Sequence, residues 1–339
     1  MRRTTIKDIA KKLQLSPATI SLALNSSPLV NTRTMQKVKR AAEEMGYRPN
    51  AIARSLVLKK SHILGIIIPD ITNAFFSAIV SGAEKAANAG GYNLLICDTN
   101  WSNELESRHL SLIIEERIDG ILIAYWNKEN QELEHLLERN YPLVFVSSAH
   151  PHQDARFVGA DTERGGYLAA KHLLELGHRD IAFIGGKFKS ESIQRRYAGF
   201  LKAFEEHQLS FQTDLMYEGE FSVESGYKNG VRLLQEVPHV TGILAADDLI
   251  AIGVLKAAAE LGRKIPEELS LVGFDDIAAA AFPGINLTTV FQEKYLMGHL
   301  AVEMLLEQLE SKKNVVKKKR VILPTQLKIR KTTAPCRKA

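Results

Sequence analysis

Carboxylates, amides and aromatic side chains recur directly after short apolar runs throughout the central and C-terminal parts of the sequence. Aromatic faces can stack on the C–H faces of a ring, while carboxylates and amides bind its hydroxyl groups. This combination favours binding of a polyhydroxylated small molecule. The side chains concerned are Asp70, Asn73, Phe75, Phe76, Asp98, Thr99, Tyr125, Trp126, Asn127, Ser147, Ser148, Asp247, Asp248, Asp275 and Asp276.

Motifs for catalysis, cofactors and metals do not emerge from the sequence. No Ser/His/Asp or Cys/His arrangement stands out, and no G-x-G-x-x-G follows the first apolar run. His150-Pro151-His152 has no cysteine or carboxylate cluster beside it and is interpreted as a loop. Gly185-Gly186-Lys187 lacks the P-loop spacing, and Cys97 and Cys336 support neither a disulfide framework nor a metal site. We therefore expect no catalytic residues, no cofactor and no metal.

The apolar runs alternate with helical stretches from Ile63 onward. Continuous apolar strands separated by helices are typical of parallel sheets that are covered on both faces. The pattern predicts an α/β fold class with two doubly wound parallel-sheet lobes and a boundary near Asp161. Because ligands bind beyond the carboxyl ends of strands in such sheets, we expect the polar and aromatic side chains to meet in one cleft. A first set of strands is predicted at residues 63–68, 93–97, 120–124 and 143–146, a second at 157–159, 181–184, 242–245 and 269–273, and returning strands at 321–324 and 327–329.

The charges are distributed unevenly along the 339 residues, although the formal net charge is only +5. Residues 1–60 contain 13 Lys and Arg against 3 Asp and Glu, residues 61–310 contain 20 against 36, and residues 311–339 contain 11 against none. A cationic head on an anionic body indicates a polyanionic partner for the head. The basic tail is interpreted as lysines exposed beside a strand.

Targeting and membrane segments are not predicted. No apolar run approaches the roughly 18 residues of a membrane helix. The basic N-terminus has no apolar run behind it, unlike a signal peptide. We therefore expect a cytoplasmic protein without a membrane partner.

The head carries start and stop signals for three short helices. Thr5 to Asp8 reads as a capping box, and Ser16-Pro17 places a hydroxyl cap before a proline at the first helical position. The second helix is predicted to reach about Asn25, and a third to run from about Thr32 to Met45, where Gly46 ends it. Since the turn between the first two helices has only about three residues, the pattern predicts a helix-turn-helix.

In that geometry, outward side chains at the start of the second helix face the major groove of DNA. Polar side chains there serve phosphates or base edges, and apolar ones contact thymine methyl groups. Basic residues such as Lys7 and Arg33 attract phosphate without sequence preference. The head residues that we expect to contact DNA are Thr5, Ser16, Pro17, Ala18, Thr19, Ser21, Leu22 and Asn25.

Residues 5–10 (TIKDIA), 15–21 (LSPATIS) and 46–56 (GYRPNAIARSL) together resemble the LacI/GalR family of bacterial transcription regulators. The resemblance continues almost to the C-terminus. It implies a periplasmic-binding-protein-like body whose chain crosses between lobes near residues 160–161, 290–292 and 322–324. The implied domains are a helix-turn-helix head at 1–47, a hinge helix and linker at 48–60, an effector-binding N-lobe at 61–160 with 292–322, and an effector-binding C-lobe at 161–291 with 323–339.

The resemblance also implies that the linker folds as a hinge helix when two subunits sit on operator DNA. Paired hinges would enter the minor groove, where Leu56 wedges between base pairs and bends the duplex. The alternative is a plain linker whose Leu56 packs on the body. Leu22 stands where relatives often carry a side chain that reads guanine, and Pro28 where some carry arginine, so the operator sequence cannot be copied from relatives. The implied hinge contacts are Asn50, Ala51, Ala53, Arg54 and Leu56.

For the effector site, the resemblance matches Arg196 to an effector-binding arginine, Phe221 to an aromatic wall and Asp275 to a carboxylate that accepts ligand protons. Asp247 stands where relatives often have asparagine. Residues 147–148 are serines where sugar-binding relatives often have aspartate or arginine, which leaves the ligand open. The predicted effector contacts are Asn73, Phe75, Phe76, Trp126, Asn127, Ser147, Arg196, Phe221, Asp247, Asp275 and Gln292.

These observations predict a homodimeric repressor that binds double-stranded operator DNA and is controlled by a small effector, most simply a sugar, between two lobes. The alternatives are a solute-binding protein, a cleft enzyme that acts on a sugar, and an architectural nucleic-acid protein without an effector. Whether the effector induces or co-represses stays open, as does a phosphoprotein co-regulator.

Overall fold

A computed structural model describes residues 4–47, 60–124, 130–152, 155–186, 190–310 and 320–337 of the chain. The chain divides into two compact units, residues 1–61 and 62–339. Some predicted contacts lie outside the described residues, namely Asn50, Ala51, Ala53, Arg54 and Leu56 of the hinge and Trp126 and Asn127 of the effector site.

Three helices form the described part of the first unit: α1 (Ile6–Leu13), α2 (Pro17–Leu24) and α3 (Thr32–Glu44). Thr5 and Asp8 form the predicted capping box at α1, and the Ser16 side chain accepts from the Thr19 amide at the start of α2. The side chain of Asn31 caps α3 in the same way. The predicted helices and their two caps are therefore confirmed. The inward faces share an apolar core of Ile9, Ala10, Ile20, Ala23, Val38, Ala41 and Ala42.

The second unit begins with a parallel sheet that we call, with its helices, the first lobe. Its elements are β1 (Ile63–Ile68), α4 (Ala74–Ala89), β2 (Asn93–Asp98), α5 (Asn103–Glu115), β3 (Gly120–Ile123), α6 (Gln131–Glu138), β4 (Leu143–Val146) and β5 (Phe157–Ala160). The strand order is β11-β5-β4-β3-β1-β2, with β11 (Arg320–Leu323) returning from the C-terminal part of the chain. Residues 157–159, which the sequence assigned to the second set of strands, belong to this first sheet because β5 pairs with β4 and β11.

The second lobe is built on a second sheet of order β12-β10-β9-β8-β6-β7. Its elements are α7 (Thr162–Glu175), β6 (Ile181–Ile184), α8 (Glu191–Glu206), β7 (Met216–Tyr217), α9 (Val223–Glu236), β8 (Gly242–Ala245), α10 (Asp248–Glu260), β9 (Ser270–Asp275), β10 (Thr288–Phe291) and β12 (Gln326–Lys328). Four of the five strand pairings are parallel, and β12 lies antiparallel to β10. The second sheet is therefore mixed, with one antiparallel strand at its edge.

After β10 the chain crosses back to the first lobe as α11 (Lys294–Glu310). This helix packs into the apolar core of the first lobe through Met297, Ala301, Val302 and Leu305. Helices α11 and α4 touch at backbone distance. A Cβ atom added at Gly82 would lie 1.9 Å from the Tyr295 carbonyl oxygen, and one at Gly298 would lie 1.9 Å from that of Ile79. Glycine is required at both positions because no side chain fits between the helices.

Both sheets share the order in which the first strand lies between the second and the third, so β1 neighbours β3 and β6 neighbours β8. This reversal of strand order is the point where ligands bind beyond the carboxyl ends of open parallel sheets. Each lobe therefore offers one switch point. Among the residues described, every helix is too short or too polar to cross a bilayer.

Candidate functional site

A cavity lies where the segments that follow the strands of the two lobes meet. The predicted positions after β1, β4, β8 and β9 all contribute to it, and so does α8. Of the effector contacts predicted within the described residues, all except Gln292 line the cavity. The lining residues are Pro69, Asn73, Phe75, Phe76, Trp101, Ala124, Ser147, Ser148, Ser190, Ser192, Arg196, Phe221, Asp247 and Asp275.

Arg196 on α8 is buried and held from three sides. One terminal nitrogen, Nη1, donates to the carbonyl oxygen of Ala246, and Nη2 lies 3.4 Å from Oδ1 of Asp275. The guanidinium carbon lies 4.0 Å from the ring centre of Phe274. Its Nε is buried and has no hydrogen-bond partner among the described residues. The side chain is therefore fixed in place, and its Nε–H makes no hydrogen bond within the described residues.

Asp275 ends β9 and receives hydrogen bonds through one carboxylate oxygen. Nε2 of Gln292 donates to its Oδ1 at 2.6 Å, the same atom that faces Arg196. Gln292 is itself buried and lies behind Asp275, outside the cavity lining. Burial raises the pKa of Asp275, and the positive charge of Arg196 opposes that shift. Gln292 is thus placed to orient the carboxylate and does not reach the cavity itself.

Asp247 caps helix α10 and keeps one oxygen unused. Its Oδ1 accepts from the Ile250 amide at 2.7 Å, while Oδ2 is buried with no hydrogen-bond partner among the described residues. Burial, followed by repulsion from Asp275, raises the pKa of Asp247 to about 7. A buried acceptor without a partner is costly, so a ligand that donates to Oδ2 would gain affinity there.

The neighbouring Asp248 follows the same strand as Asp247, but both of its carboxylate oxygens are used by hydrogen bonds within the fold. Its Oδ2 accepts from the Ile277 amide at 2.8 Å, and its Oδ1 accepts from Oγ1 of Thr289 at 2.5 Å. Burial raises its pKa well above the usual aspartate range. Asp248 therefore ties α10 to β10 and to the segment after β9, and it does not line the cavity.

Four aromatic rings form a continuous series from the first lobe to the second. Phe75 and Phe76 meet edge to face with ring centres 5.1 Å apart, and Phe76 meets Trp101 at 6.1 Å. Trp101 then stacks on Phe221 at 5.2 Å. Trp101 was not predicted from the sequence, because the candidate residues after the second strand extended only to Asp98 and Thr99. Continuing two residues further along the chain would have found it.

The remaining polar lining residues come from turns and helix starts. Asn73 caps α4 by accepting from the Phe75 amide at 2.9 Å, so part of its hydrogen-bonding capacity is used by the fold. Ser147 has a positive φ of 70° after β4. Ser190 and Ser192, which were not predicted, share a hydrogen bond of 2.9 Å at the start of α8. Their signal in the sequence is that Ser192 precedes Arg196 by one helical turn.

In the head, the predicted DNA contacts cluster at the start and outer face of α2. The Ser16 hydroxyl caps the helix through the Thr19 amide at 3.0 Å and also lies 2.8 Å from the Thr19 hydroxyl. Thr19 and Ser21 are half-buried, while Thr5 caps α1 from an exposed position. The other exposed members of the set are Ser16, Pro17, Ala18, Leu22 and Asn25.

Comparison with known proteins agrees with both halves of this architecture. Residues 5–50 match the family described as bacterial regulatory proteins, lacI family, and residues 170–333 match a periplasmic binding protein-like domain. The HTH-type transcriptional repressor PurR of Haemophilus influenzae is 33% identical over 329 residues, which cover 97% of this chain and 98% of that protein. The chain belongs to the lacI family. PurR of Actinobacillus pleuropneumoniae is 34% identical over 332 residues, with 97% and 98% covered.

Solved structures of transcriptional regulators share the fold. The lac repressor dimer bound to operator and the anti-inducer ONPF has a TM-score of 0.87 at 27% identity and covers 98% of this chain and 100% of that chain. The complex of the regulator CelR with cellobiose has a TM-score of 0.74 at 25% identity, with 97% and 100% covered. A lacI-family regulator from Enterococcus faecium with bound ribose has a TM-score of 0.73 at 28% identity, with 81% and 100% covered.

This lacI-family chain is therefore a DNA-binding transcriptional repressor with a small-molecule effector, and it is not an enzyme. The predicted family, the α/β fold class and the function as a DNA-binding repressor with a small-molecule effector are confirmed. Within the part of the chain that the structure describes, no group of three or more His, Cys, Asp or Glu is arranged to hold a metal ion.

Proposed function

We propose that the chain acts as a homodimeric repressor whose effector is a small carbohydrate held in the cavity between the lobes. The observation that carries this proposal is the meeting of aromatic rings with Arg196, Asp247 and Asp275 around one cavity. Similar proteins support it, because solved relatives hold cellobiose and ribose. The lac repressor relative is a dimer on its operator.

The chemistry of the lining suits a sugar ring. The rings of Phe75, Phe76 and Phe221 line the cavity with apolar surface that can meet the C–H groups of a sugar. Hydroxyl groups of the ligand would donate to Oδ2 of Asp247 and to the carboxylate of Asp275. A hydroxyl oxygen would accept from Nε of Arg196, which has no partner among the described residues.

For DNA, we propose that α2 enters the major groove and that the hinge follows the minor groove. The head would comprise residues 1–47 and the hinge residues 48–60, with the lobes divided at residues 160–161, 291–292 and 322–323. We propose a cytoplasmic location, where operator DNA is accessible. The proposed DNA contacts are Thr5, Ser16, Pro17, Ala18, Thr19, Ser21, Leu22, Asn25, Asn50, Ala51, Ala53, Arg54 and Leu56.

The proposed mechanism is thermodynamic linkage between the cavity and the operator. The effector binds one arrangement of the two lobes better than the other, and that arrangement sets how well the paired hinges order on DNA. A coupling of about 1–3 kcal/mol would change operator affinity roughly 5- to 150-fold. The direction of the change distinguishes an inducer from a co-repressor.

Two measurements on the full chain test the proposal. A thermal-shift screen across monosaccharides, disaccharides, pentoses and purines should show stabilisation by at least one sugar. Selection of genomic fragments at physiological salt should then return a defined operator, and the sugar should change its affinity. Stabilisation by purines alone would overturn the carbohydrate assignment. Retention of random duplex as strongly as any genomic fragment would overturn the regulator.

A further inference from the structure

Lys294 is the first residue of α11, where the chain has just left the second sheet for the first lobe. Its ammonium group reaches back to the end of β9. Nζ donates to the carbonyl oxygen of Asp275, to that of Asp276 at 3.0 Å and to that of Gln292 at 3.3 Å. A lysine has three N–H donors, so these contacts use all of them. Lys294 does not line the cavity.

The turn that Lys294 holds has an unusual backbone. Asp275 has a φ of 109° and Asp276 a φ of 52°, and both are left-handed conformations that side-chain-bearing residues rarely adopt. Such a conformation persists only where surrounding contacts fix it. Because the two carbonyl groups converge on one ammonium, Lys294 is one of those contacts. A ligand that shifts the backbone at Asp275 would therefore move two of the three acceptors of Lys294.

Other groups fix the same turn from within the second lobe. Arg330 reaches Oδ1 of Asp276 at 2.6 Å, and Oδ2 of Asp248 accepts from the Ile277 amide. Both lie in segments that pair or pack with the second sheet. Lys294 differs from them because it belongs to α11, a helix of the first lobe. It is therefore a direct hydrogen-bonded link from the turn to the other lobe.

Helix α11 is rigidly joined to the first-lobe side of the cavity. Its Gly298 lies against the backbone of α4 at Ile79, with no room for a side chain between them. The first turn of α4 carries Phe75 and Phe76, which line the cavity. A displacement at Asp275 can thus reach the first lobe through Lys294 and the α11–α4 contact, which is a continuous path of packed groups.

We propose that Lys294 is a positioning residue that couples Asp275, the proposed effector-binding carboxylate, to the first lobe. Through the first lobe it would couple Asp275 to operator binding, and Lys294 itself would not touch the effector. The inference rests on the proposed role of Asp275 in effector binding. A purely structural lysine would stabilise the fold but would not change how a perturbation at Asp275 is felt in α11.

The test is a double-mutant cycle followed by hydrogen exchange, on the full chain without ligand or DNA. Asp275→Ala is expected to accelerate exchange of amides at residues 296–300 by about 10-fold. In a Lys294→Met background the same change should add less than about 2-fold, because the link is already broken. Lys294→Arg keeps donors at this position and should restore part of the response. Lys85→Met, an exposed lysine on α4, is the matched control and should leave the response intact.

Equal acceleration by Asp275→Ala in the wild-type and Lys294→Met backgrounds would overturn the proposal. Loss of a cooperative melting transition in both Lys294→Met and Lys294→Arg would assign the residue to fold stability and overturn it as well. Failure of this test can be distinguished from failure of the proposed function. The exchange rates are measured without ligand, so they test the link from Asp275 to α11 even if the chain binds no sugar.

Discussion

The indole of Trp101 stacks on the ring of Phe221, with ring centres 5.2 Å apart and planes 16° from parallel. Trp101 follows β2 of the first lobe, and Phe221 precedes α9 of the second, so this stack joins the lobes at the cavity. An aromatic pair contributes about 0.5–1.5 kcal/mol beyond its buried area. The stack therefore favours the arrangement of lobes seen here, and a ligand that changes that arrangement has to change the stack.

Trp101 should consequently report effector binding. The chain has 2 tryptophans, so Trp126→Phe, provided that it still shows the thermal shift with sugar despite the change at a predicted contact, leaves Trp101 as the single indole. We expect its emission to shift when a sugar identified by thermal shift is titrated into this variant. Trp101→Ala should change the affinity for that sugar by about 3- to 10-fold, measured by calorimetry, since the stack contributes about one kcal/mol. Trp101→Phe keeps a ring and serves as the control; constant emission at saturating sugar would contradict the assignment.

Arg196→Ala should remove effector binding and leave basal operator affinity within about 3-fold. Truncation deletes the guanidinium that we propose donates to the ligand and also leaves the buried Asp275 without its cationic neighbour, so the loss should exceed about 10-fold. Thermal shift and operator titration measure the two effects separately. Arg195→Ala is a matched control on the same helix, because Arg195 is exposed and pairs with Glu191. If Arg196→Ala lost operator binding as well, the variant would report misfolding, and Arg196 would have no separable role in effector binding.

Local signals were sufficient for the head and for most strands. The caps at Thr5 and Ser16 are decided within a few residues, and continuous apolar runs identify buried strands without knowledge of their partners. Strand partnership is not local, so β5 was grouped with the wrong sheet although its existence was predicted. The antiparallel strand β12 was recognised as a strand, but its direction depends on where the chain last crosses between lobes.

The lining of the cavity was predicted less completely, because the sequence does not show which way each side chain points. Asp247 and Asp248 follow the same strand and are indistinguishable by position, yet one faces the cavity and the other bonds to Thr289 and Ile277. Trp101 adopts a positive φ of 59° that no pattern in the sequence indicates. Gln292, a predicted effector contact, lies outside the cavity lining of the described residues, where its amide donates to Asp275. Such orientations depend on contacts between segments far apart in the chain.

The raised pKa of Asp247 predicts that Asp247→Asn stabilises the unliganded protein at neutral and alkaline pH. The carboxyl has a pKa of about 7 when folded against 3.8 as its ordinary value. The folded state therefore binds the proton more tightly, and the wild type loses stability as the pH rises from about 4 to about 7. Asparagine retains the capping oxygen and avoids the buried charge next to Asp275.

Melting temperatures measured from pH 5 to pH 8 test this sign. We expect the difference in melting temperature between Asp247→Asn and the wild type to increase from pH 5 to pH 8 by at least about 3 °C. Asp214→Asn, which changes an exposed carboxylate, should give a flat difference. A benefit of Asp247→Asn that is larger at pH 5 than at pH 8 would contradict the linkage.

Gly298→Ala should destabilise the second unit through the α11–α4 contact. The new methyl group would lie 1.9 Å from the Ile79 carbonyl oxygen, so the two helices have to separate. Overpacking of this kind costs about 1–3 kcal/mol or more. Urea unfolding should show a lower midpoint with an unchanged slope. Glu307→Ala on the exposed face of α11 is the control, and equal midpoints for the two variants would contradict the close packing.

Leu22→Gln should change which operator the protein selects while leaving the head folded. Leu22 is 39% exposed on α2 and does not belong to the apolar core of the head, so glutamine can replace it without a cavity. In the major groove, a glutamine amide can pair with adenine in two hydrogen bonds, a discrimination of about 1–3 kcal/mol at one base position. Selection from a randomised duplex library should therefore recover an altered preference at one position of each half-site.

Leu29→Gln supplies the comparison, because Leu29 is 82% exposed but lies beyond the end of α2, and it should leave the selected sequence unchanged. An identical operator for Leu22→Gln and the wild type would mean that this face of α2 does not read bases.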